Sequence, residues 1–353
     1  MDARDITRRR MHGQRLWGRP LGTPQEVVGW LGAMQAQELP VARWSVAQRS
    51  RSVGAAEIDR LVAEGAILRT HVLRPTWHFV LPDDIRWLQA LTAGRVHRLT
   101  AHRYRQLDLD GKLLARSDVM LARALEGAHL TRRELGVALE RAGIDTSGQR
   151  LAHMVMHAEL EALVCSGTPR DKQHTYAPVD ERAPHAATLD RDEALAELTR
   201  RYFTTRGPAT LRDYLWWSSL TAADGRRGLD MVGVELRKEA IDGRTYWWGE
   251  RSRPRKPSGT RVDLVQVYDE MVVSYTESRD VLAANSIVRA SGGFMHVVLI
   301  DGRWAGRWRS VRTQDSVVVR TSFPRQLRRD ETEVLEGAVR RFGRFLGAPA
   351  VLG

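Results

Sequence analysis

Behind Thr23-Pro24-Gln25-Glu26, the apolar positions Val27, Val28 and Leu31 recur at helical spacing. A threonine N-cap, a proline at the first helical position and a glutamate three residues after the cap predict a helix start there. Continued along the chain, Val28 and Leu31 lead to Gln35 at i, i+3 and i+7, so an amide with four hydrogen-bonding positions falls where a buried residue is expected. Pro40 breaks the pattern and opens a second helix, VARWSVAQRS, and a third, AAEIDRLVAEG, stops at Gly65. The period then shortens from 3.6 to 2. ILRTHVL and TWHFVL read as strands joined by a turn at Arg74-Pro75.

The same order returns twice. LARALEG, a second capping box at Thr131-Arg132-Arg133-Glu134 and the helical run SGQRLAHMVMHAELEALVCSG precede the strand-like DKQHTYAPV. DEALAELTRRYFTTRG, TLRDYLWWSSL and TAADGRRGLDMV precede VELRKEAI and RTYWWGE, which flank the hairpin signal Asp242-Gly243. Helix–turn–helix followed by a hairpin is winged-helix grammar, in which a helix docks in a DNA groove.

After the basic linker SRPRKPSG (252–259) the pattern becomes β-rich. VDLVQVYDEMVVSY, SIVRA, FMHVVLI, WAGRWR and SVVVRTSF read as strands, with a hairpin at Asp301-Gly302, and RDETEVLEGAVRRFGRFLG closes the chain as a helix. The predicted class is α+β: tandem winged-helix motifs over 1–110, 111–183 and 184–251, then the linker, a β-barrel-like domain and a C-terminal helix over 252–353.

The 353 residues carry a formal net charge of +12, almost all of it arginine. Such an excess favours a polyanionic partner, most simply nucleic acid. No apolar run reaches membrane-span length and MDARDITRRRMHGQRLWG has no signal-peptide core, so the expected compartment is the cytoplasm and no membrane partner is expected. Cys165 is alone, which excludes an internal disulfide framework and a cysteine-based metal cluster.

Candidate chemistry is sparse. Gln35 and Gln37 flank Ala36; on a continuous helix they diverge by about 200°, so they serve one substrate only if the helix ends before Pro40. The alternative is a Gln35 bonded to nearby backbone and a solvated Gln37. In 69-RTHVLRPTWHFV-80 the Arg74-Pro75 turn suits a phosphate, against the plainer reading of a hairpin with solvated polar positions. His71 and His78 lack short ligand spacing, and the pair His153/His157 has Met154 where a zinc protease has glutamate, so no metal site is expected. Asp269 and Glu270 read as neighbours on a strand, so at most one of them faces a cleft. The tryptophans read as packing residues. No Walker A, G-x-S-x-G or dinucleotide fingerprint is present.

Taken in order, 35-QAQ-37, 69-RTHVLRPTWHFV-80, 263-DLVQVYDEMVVSY-275 and 301-DGRWAGRWR-309 resemble the AlkZ-like winged-helix DNA glycosylases, over nearly the whole chain. The resemblance implies a C-shaped molecule around a basic cleft for double-stranded DNA. It also implies hydrolysis of the N-glycosidic bond of N7-alkylguanines, including bulky natural-product adducts and, in some members, interstrand crosslinks. Gln35 and Gln37 map onto the catalytic glutamines of the Gln-apolar-Gln branch. Arg69, Thr70, Arg74, Thr76, His78 and Arg244 are the expected DNA-binding residues, and Asp269 a cleft carboxylate. No cofactor and no metal are expected. Three winged units in one chain make a nucleoid-associated monomer sufficient. The competing class is a non-catalytic winged-helix DNA binder or regulator.

Overall fold

The computed structural model describes residues 1–171, 173–249, 258–282 and 295–353. Most of the 252–259 linker and the SIVRA strand lie outside the described residues. Helix α1 (Ala3–Gly13) opens the chain. The first unit follows: α2 (Pro24–Leu31), β1 (Met34–Gln35), α3 (Leu39–Ala47), α4 (Ala55–Glu64), β2 (Leu68–Val72), β3 (Arg74–Val80) and the long α5 (Pro82–Gln106). The Thr23 side chain accepts from the Glu26 N–H, as its cap sequence predicts.

Helix α2 is shorter than its apolar stripe. Gly32 takes a left-handed φ of 73°, ends the helix, and sends the chain into β1. Gln35 is therefore a strand residue. β1 pairs with β3 and β3 with β2, giving the order β1-β3-β2. The turn between β2 and β3 is at Leu73, with φ of 63°, and Arg74-Pro75 belongs to β3 instead.

The middle unit holds α6 (Gly111–Ala124), β4 (Leu130–Thr131), α7 (Arg132–Arg141), α8 (Arg150–Leu160), β5 (Val164–Ser166), β6 (Thr175–Pro178) and the single turn α9 (Val179–Arg182). Both hydrogen bonds of the Thr131–Glu134 capping box form. Helix α8 stops before Ala162, which has φ of 57°, so the VCS read as helix is β5. The third unit holds α10 (Arg191–Arg206), α11 (Leu211–Ser218), α12 (Ala222–Val232) and the hairpin β7 (Leu236–Ile241)–β8 (Arg244–Gly249), turning at Asp242-Gly243. Three rounds of helices followed by a hairpin are thus present.

The C-terminal part comprises β9 (Val262–Val265), the turn α13 (Glu270–Val273), β10 (His296–Ile300), β11 (Arg303–Arg312), β12 (Val317–Ser322), α14 (Arg329–Leu346) and β13 (Ala350–Leu352). Among the described residues the sheet is open, in the order β13-β12-β11-β10-β9, with no pairing between its edge strands. Both faces are buried. Leu264, Val298, Trp308 and Val319 pack with Phe342 and Phe345 of α14 and with Trp44 of α3, whereas Val265, Val297 and Leu299 join the core of the third unit. The second half of 262–275 is not strand, because the Asp269 side chain caps α13 by accepting from the Met271 N–H.

Asp269 also binds Arg49 at 2.8 and 2.9 Å, and both side chains have no exposed surface. Arg49 further donates to the carbonyls of Gln14 and Ser45, so one guanidinium joins α1, α3 and α13. Removing one partner of such a pair leaves a buried charge uncompensated. Arg49→Met is expected to lower unfolding free energy by about 3–5 kcal/mol, read from the urea midpoint; a loss within the range of a surface substitution would contradict this role.

Candidate active site

Once the chain is extended at β1, residues two apart share a face. Gln35 therefore faces away from Met34 and Ala36, which are both buried in the core with α2, α3 and Phe79, and Gln37, two residues on, lies just past the end of β1. The register pairs Gln35 with His78 and Thr70 with His78, so Thr70, Thr76 and His78 lie on the amide side by alternation.

The Gln35 amide is held. Its backbone N–H donates to Glu270 Oε1 at 2.9 Å, and its Oε1 accepts from Arg74 Nη2 at 2.8 Å. Arg74 Nη1 donates to the Trp217 carbonyl at 2.8 Å, and Nη2 lies 3.4 Å from His78 Nε2. Burial lowers the Arg74 pKa to about 10, still charged at neutral pH. His78 is fully buried, with Nδ1 2.9 Å from the Thr76 carbonyl. Burial first, and then Arg74, push its pKa well below 6.5, so it is neutral: Nδ1–H donates to Thr76 and Nε2 accepts from Arg74.

Gln37 is half-buried and looser. Its Oε1 receives only a long 3.4 Å contact from the Trp77 N–H. The segment around it is held by Arg69, which donates to the Ala36 carbonyl at 2.9 Å and the Gln37 carbonyl at 3.3 Å. The Arg69 guanidinium lies 4.1 Å from the Trp77 ring centroid, and burial lowers its pKa to about 10. Trp77 and His71 are anchored in turn by buried Glu159 of α8, at 3.3 and 2.5 Å.

Glu270 is the carboxylate of this site. It is 1% exposed, and its Oε2 accepts from Arg206 Nη2 at 2.7 Å, Trp217 Nε1 at 2.8 Å and Ser274 Oγ at 3.1 Å. Burial alone would raise its pKa; Arg206, Arg74 and the Gln35 N–H more than reverse that, and it lies below the ordinary carboxylate value. Arg206 Nη1 and Nη2 also donate to the Leu31 and Ala33 carbonyls, each at 2.9 Å, where α2 gives way to β1.

The residues expected from sequence thus separate. Gln35, Gln37, Arg74 and His78 are brought together, with Arg69 behind them. Thr70 is buried and accepts from Gln89. Thr76 has a buried hydroxyl with no partner among the described residues. Arg244 stands on β8 in an ion pair with Asp280, outside this hydrogen-bond network. Asp269 is not a cleft carboxylate, being buried against Arg49. Arg206 and Trp217 carry no local signal. Glu270 does, as half of the Asp269-Glu270 pair, but only its tertiary partners show which of the two faces the amides.

The family described as DNA glycosylase AlkZ-like matches residues 28–345. Over 333 residues, 89% of each chain, the sequence is 26% identical to the interstrand DNA cross-link repair glycosylase of Streptomyces sahachiroi. The solved structure of Streptomyces sahachiroi DNA glycosylase AlkZ has the same fold, with a TM-score of 0.82 over 100% of both chains at 23% identity. The chain belongs to the AlkZ-like DNA glycosylases.

Proposed function

We propose that this glycosylase hydrolyses the N-glycosidic bond of N7-alkylguanine in double-stranded DNA, with Gln35 and Gln37 orienting the attacking water. The observation that carries the reading is the pair of amides at and just past the end of β1, one fixed by Arg74 and the other nearly free. Because Gln35 Oε1 is taken up by Arg74, its Nε2–H is what it offers the cleft. Gln37 Oε1 retains acceptor capacity. A water placed between them accepts from Gln35 and donates to Gln37, with its second lone pair directed at C1′.

An N7-alkylated guanine carries a positive charge. When the C1′–N9 bond breaks, its electron pair returns to the base, which departs neutral. The sugar passes through an oxocarbenium, water oxygen bonds to C1′, and the spare proton passes to solvent. A leaving group of this kind needs no strong general acid, so neutral groups that position water suffice. The unpartnered Thr76 hydroxyl lies on the same face and is a further contact for substrate or water.

In this reading the three helix–hairpin units are winged-helix motifs (1–110, 111–183 and 184–251) which, with the C-terminal sheet domain, form a C-shaped basic cleft. Arg244 approaches DNA from the β7–β8 hairpin, while Arg69, Thr70, Arg74 and His78 support the amides from behind. Bulky adducts and interstrand crosslinks are hard to extrude, so an open cleft suits them. The protein acts as a monomer in the cytoplasm, on the nucleoid, in repair or in self-resistance to an alkylating product. Among the described residues no helix is long and apolar enough to cross a membrane.

The test is single-turnover base release from duplexes carrying N7-methylguanine or a bulky N7-alkylguanine. Native protein is expected to release both. Gln37→Ala is expected to slow release by about 10²-fold or more while binding the duplex with unchanged affinity and salt dependence. Full release by Gln37→Ala would remove the amide mechanism, and salt-sensitive binding with no release by native protein would favour a lesion binder. Gln35→Glu keeps the Arg74 contact but loses the N–H donor, and the expected outcome is a comparable loss in the same assay.

A further inference from the structure

A second constellation lies in the middle unit, away from the amides. Helix α5 supplies His97 and Tyr104, α6 supplies Asp118, α8 supplies His157, and Glu161 follows as the residue that ends α8. His157 and Glu161 are four apart and share a side of the helix. His97 meets them from α5, its Nε2 at 2.8 Å from Glu161 Oε1 and its ring centroid 4.8 Å from that of His157. One ligating atom from each of His97, His157 and Glu161 lies within 4.8 Å of the others.

The outer partners orient both rings. His157 Nδ1 lies 3.0 Å from Asp118 Oδ2 and donates to that carboxylate, which leaves Nε2 bare. His97 Nδ1 is 3.3 Å from the Tyr104 hydroxyl, which leaves Nε2 directed at Glu161. A histidine whose far nitrogen is held by a carboxylate or hydroxyl while the near one faces a shared point is the outer-shell arrangement of protein metal sites. A purely structural contact between α5 and α8 would not need three ligand-type side chains converging with both rings so supported.

We propose that His97, His157 and Glu161 form a binding site for a divalent transition-metal cation, zinc by donor set, with the fourth coordination position open to water. Two imidazole nitrogens and one carboxylate oxygen suit zinc, whereas calcium and magnesium select all-oxygen shells. Ligand bonds of roughly 2.0–2.2 Å place tetrahedral ligand atoms roughly 3.4 Å apart, so His97 and Glu161 part slightly and His157 closes in. The hydrogen shared between His97 Nε2 and Glu161 then moves to Nδ1, where the Tyr104 oxygen accepts it. Two neutral imidazoles with the carboxylates of Glu161 and Asp118 balance the dication. The side chains of His97 and His157 are 22% and 16% exposed and that of Glu161 46%, which provides an entry path.

His153 is not part of the set, for its ring stands edge-on to Tyr104 at 5.9 Å. The H-x₃-H pair visible in the sequence thus contributes one histidine, and the other ligands come from α5 and the end of α8. Filled, the site would clamp the long α5 to α8, the helix whose Glu159 anchors Trp77.

The test is a Co²⁺ titration of the full-length, tag-free, chelator-stripped protein, followed by the visible d–d bands. Saturation by a single equivalent, with the bands lost on adding Zn²⁺, is the expected result. His157→Gln and Glu161→Gln are expected to abolish the bands, and Asp118→Asn, which leaves all three ligands in place, to weaken affinity about 10- to 100-fold. His185→Ala, at an exposed histidine elsewhere, should titrate as native protein does. Absence of a saturable signal, or identical titrations for native protein, His157→Gln and Asp118→Asn, would overturn the site.

Discussion

Everything at the candidate active site depends on one buried ion pair, Arg206 with Glu270. A charge in the interior persists only if its hydrogen-bonding capacity is filled, and here that requirement fixes the architecture. Arg206, at the end of α10, reaches the carbonyls of Leu31 and Ala33. Glu270, at the start of α13, takes the Gln35 N–H and the Trp217 indole N–H. The first unit, the third unit and the C-terminal part therefore meet at one point, and that point sets the path of the chain just where Gly32 has ended α2. Gln35 takes its side of the sheet because the chain there is extended, and part of what keeps it extended is this pair.

The second consequence is an asymmetry between chemically identical side chains. Gln35 is oriented by a desolvated arginine and has its oxygen occupied; Gln37 is half-buried with its oxygen almost free. Nearby, Glu270 accepts from Gln35, Arg206, Trp217 and Ser274, and His78 is held neutral by burial. Neither Glu270, a buried carboxylate held ionised, nor His78, held neutral, is set to act as a strong acid at neutral pH. In the function proposed above, the charged leaving group supplies the activation that these groups do not.

Much of this was legible in the sequence where the determinant is local. The Thr131 capping box, the Thr23 cap, the Asp242-Gly243 and Asp301-Gly302 turns, Gly65 and the break at Pro40 lie where their φ/ψ and hydrogen-bonding preferences require, although the Glu26 carboxylate accepts from the Gly22 N–H instead of closing a box on Thr23. Readings that assumed a pattern simply continues went astray. Helical periodicity carried through Gly32 put Gln35 on a helix, the apolar run after Leu160 was read as helix when it forms β5, and the β-rich run through Asp269 hid the turn α13. At the site, the glutamine spacing is visible in the sequence but not the strand that ends at Gln35. Asp269 and Glu270 are adjacent acids with similar neighbours, and only Arg49 and Arg206, each far away in sequence, assign one to the core and the other to the amides.

Whether Arg74 serves excision by orienting Gln35 is read by a double-mutant cycle on base release. Single-turnover release of N7-methylguanine would be measured for native protein, Gln35→Ala, Arg74→Met and the double variant. If the arginine serves to orient the amide, Arg74→Met slows native protein but adds little once Gln35 is gone, giving a coupling of about 1–3 kcal/mol. Independent, multiplying effects of the two substitutions would contradict the account and make Arg74 a contact to the DNA in its own right.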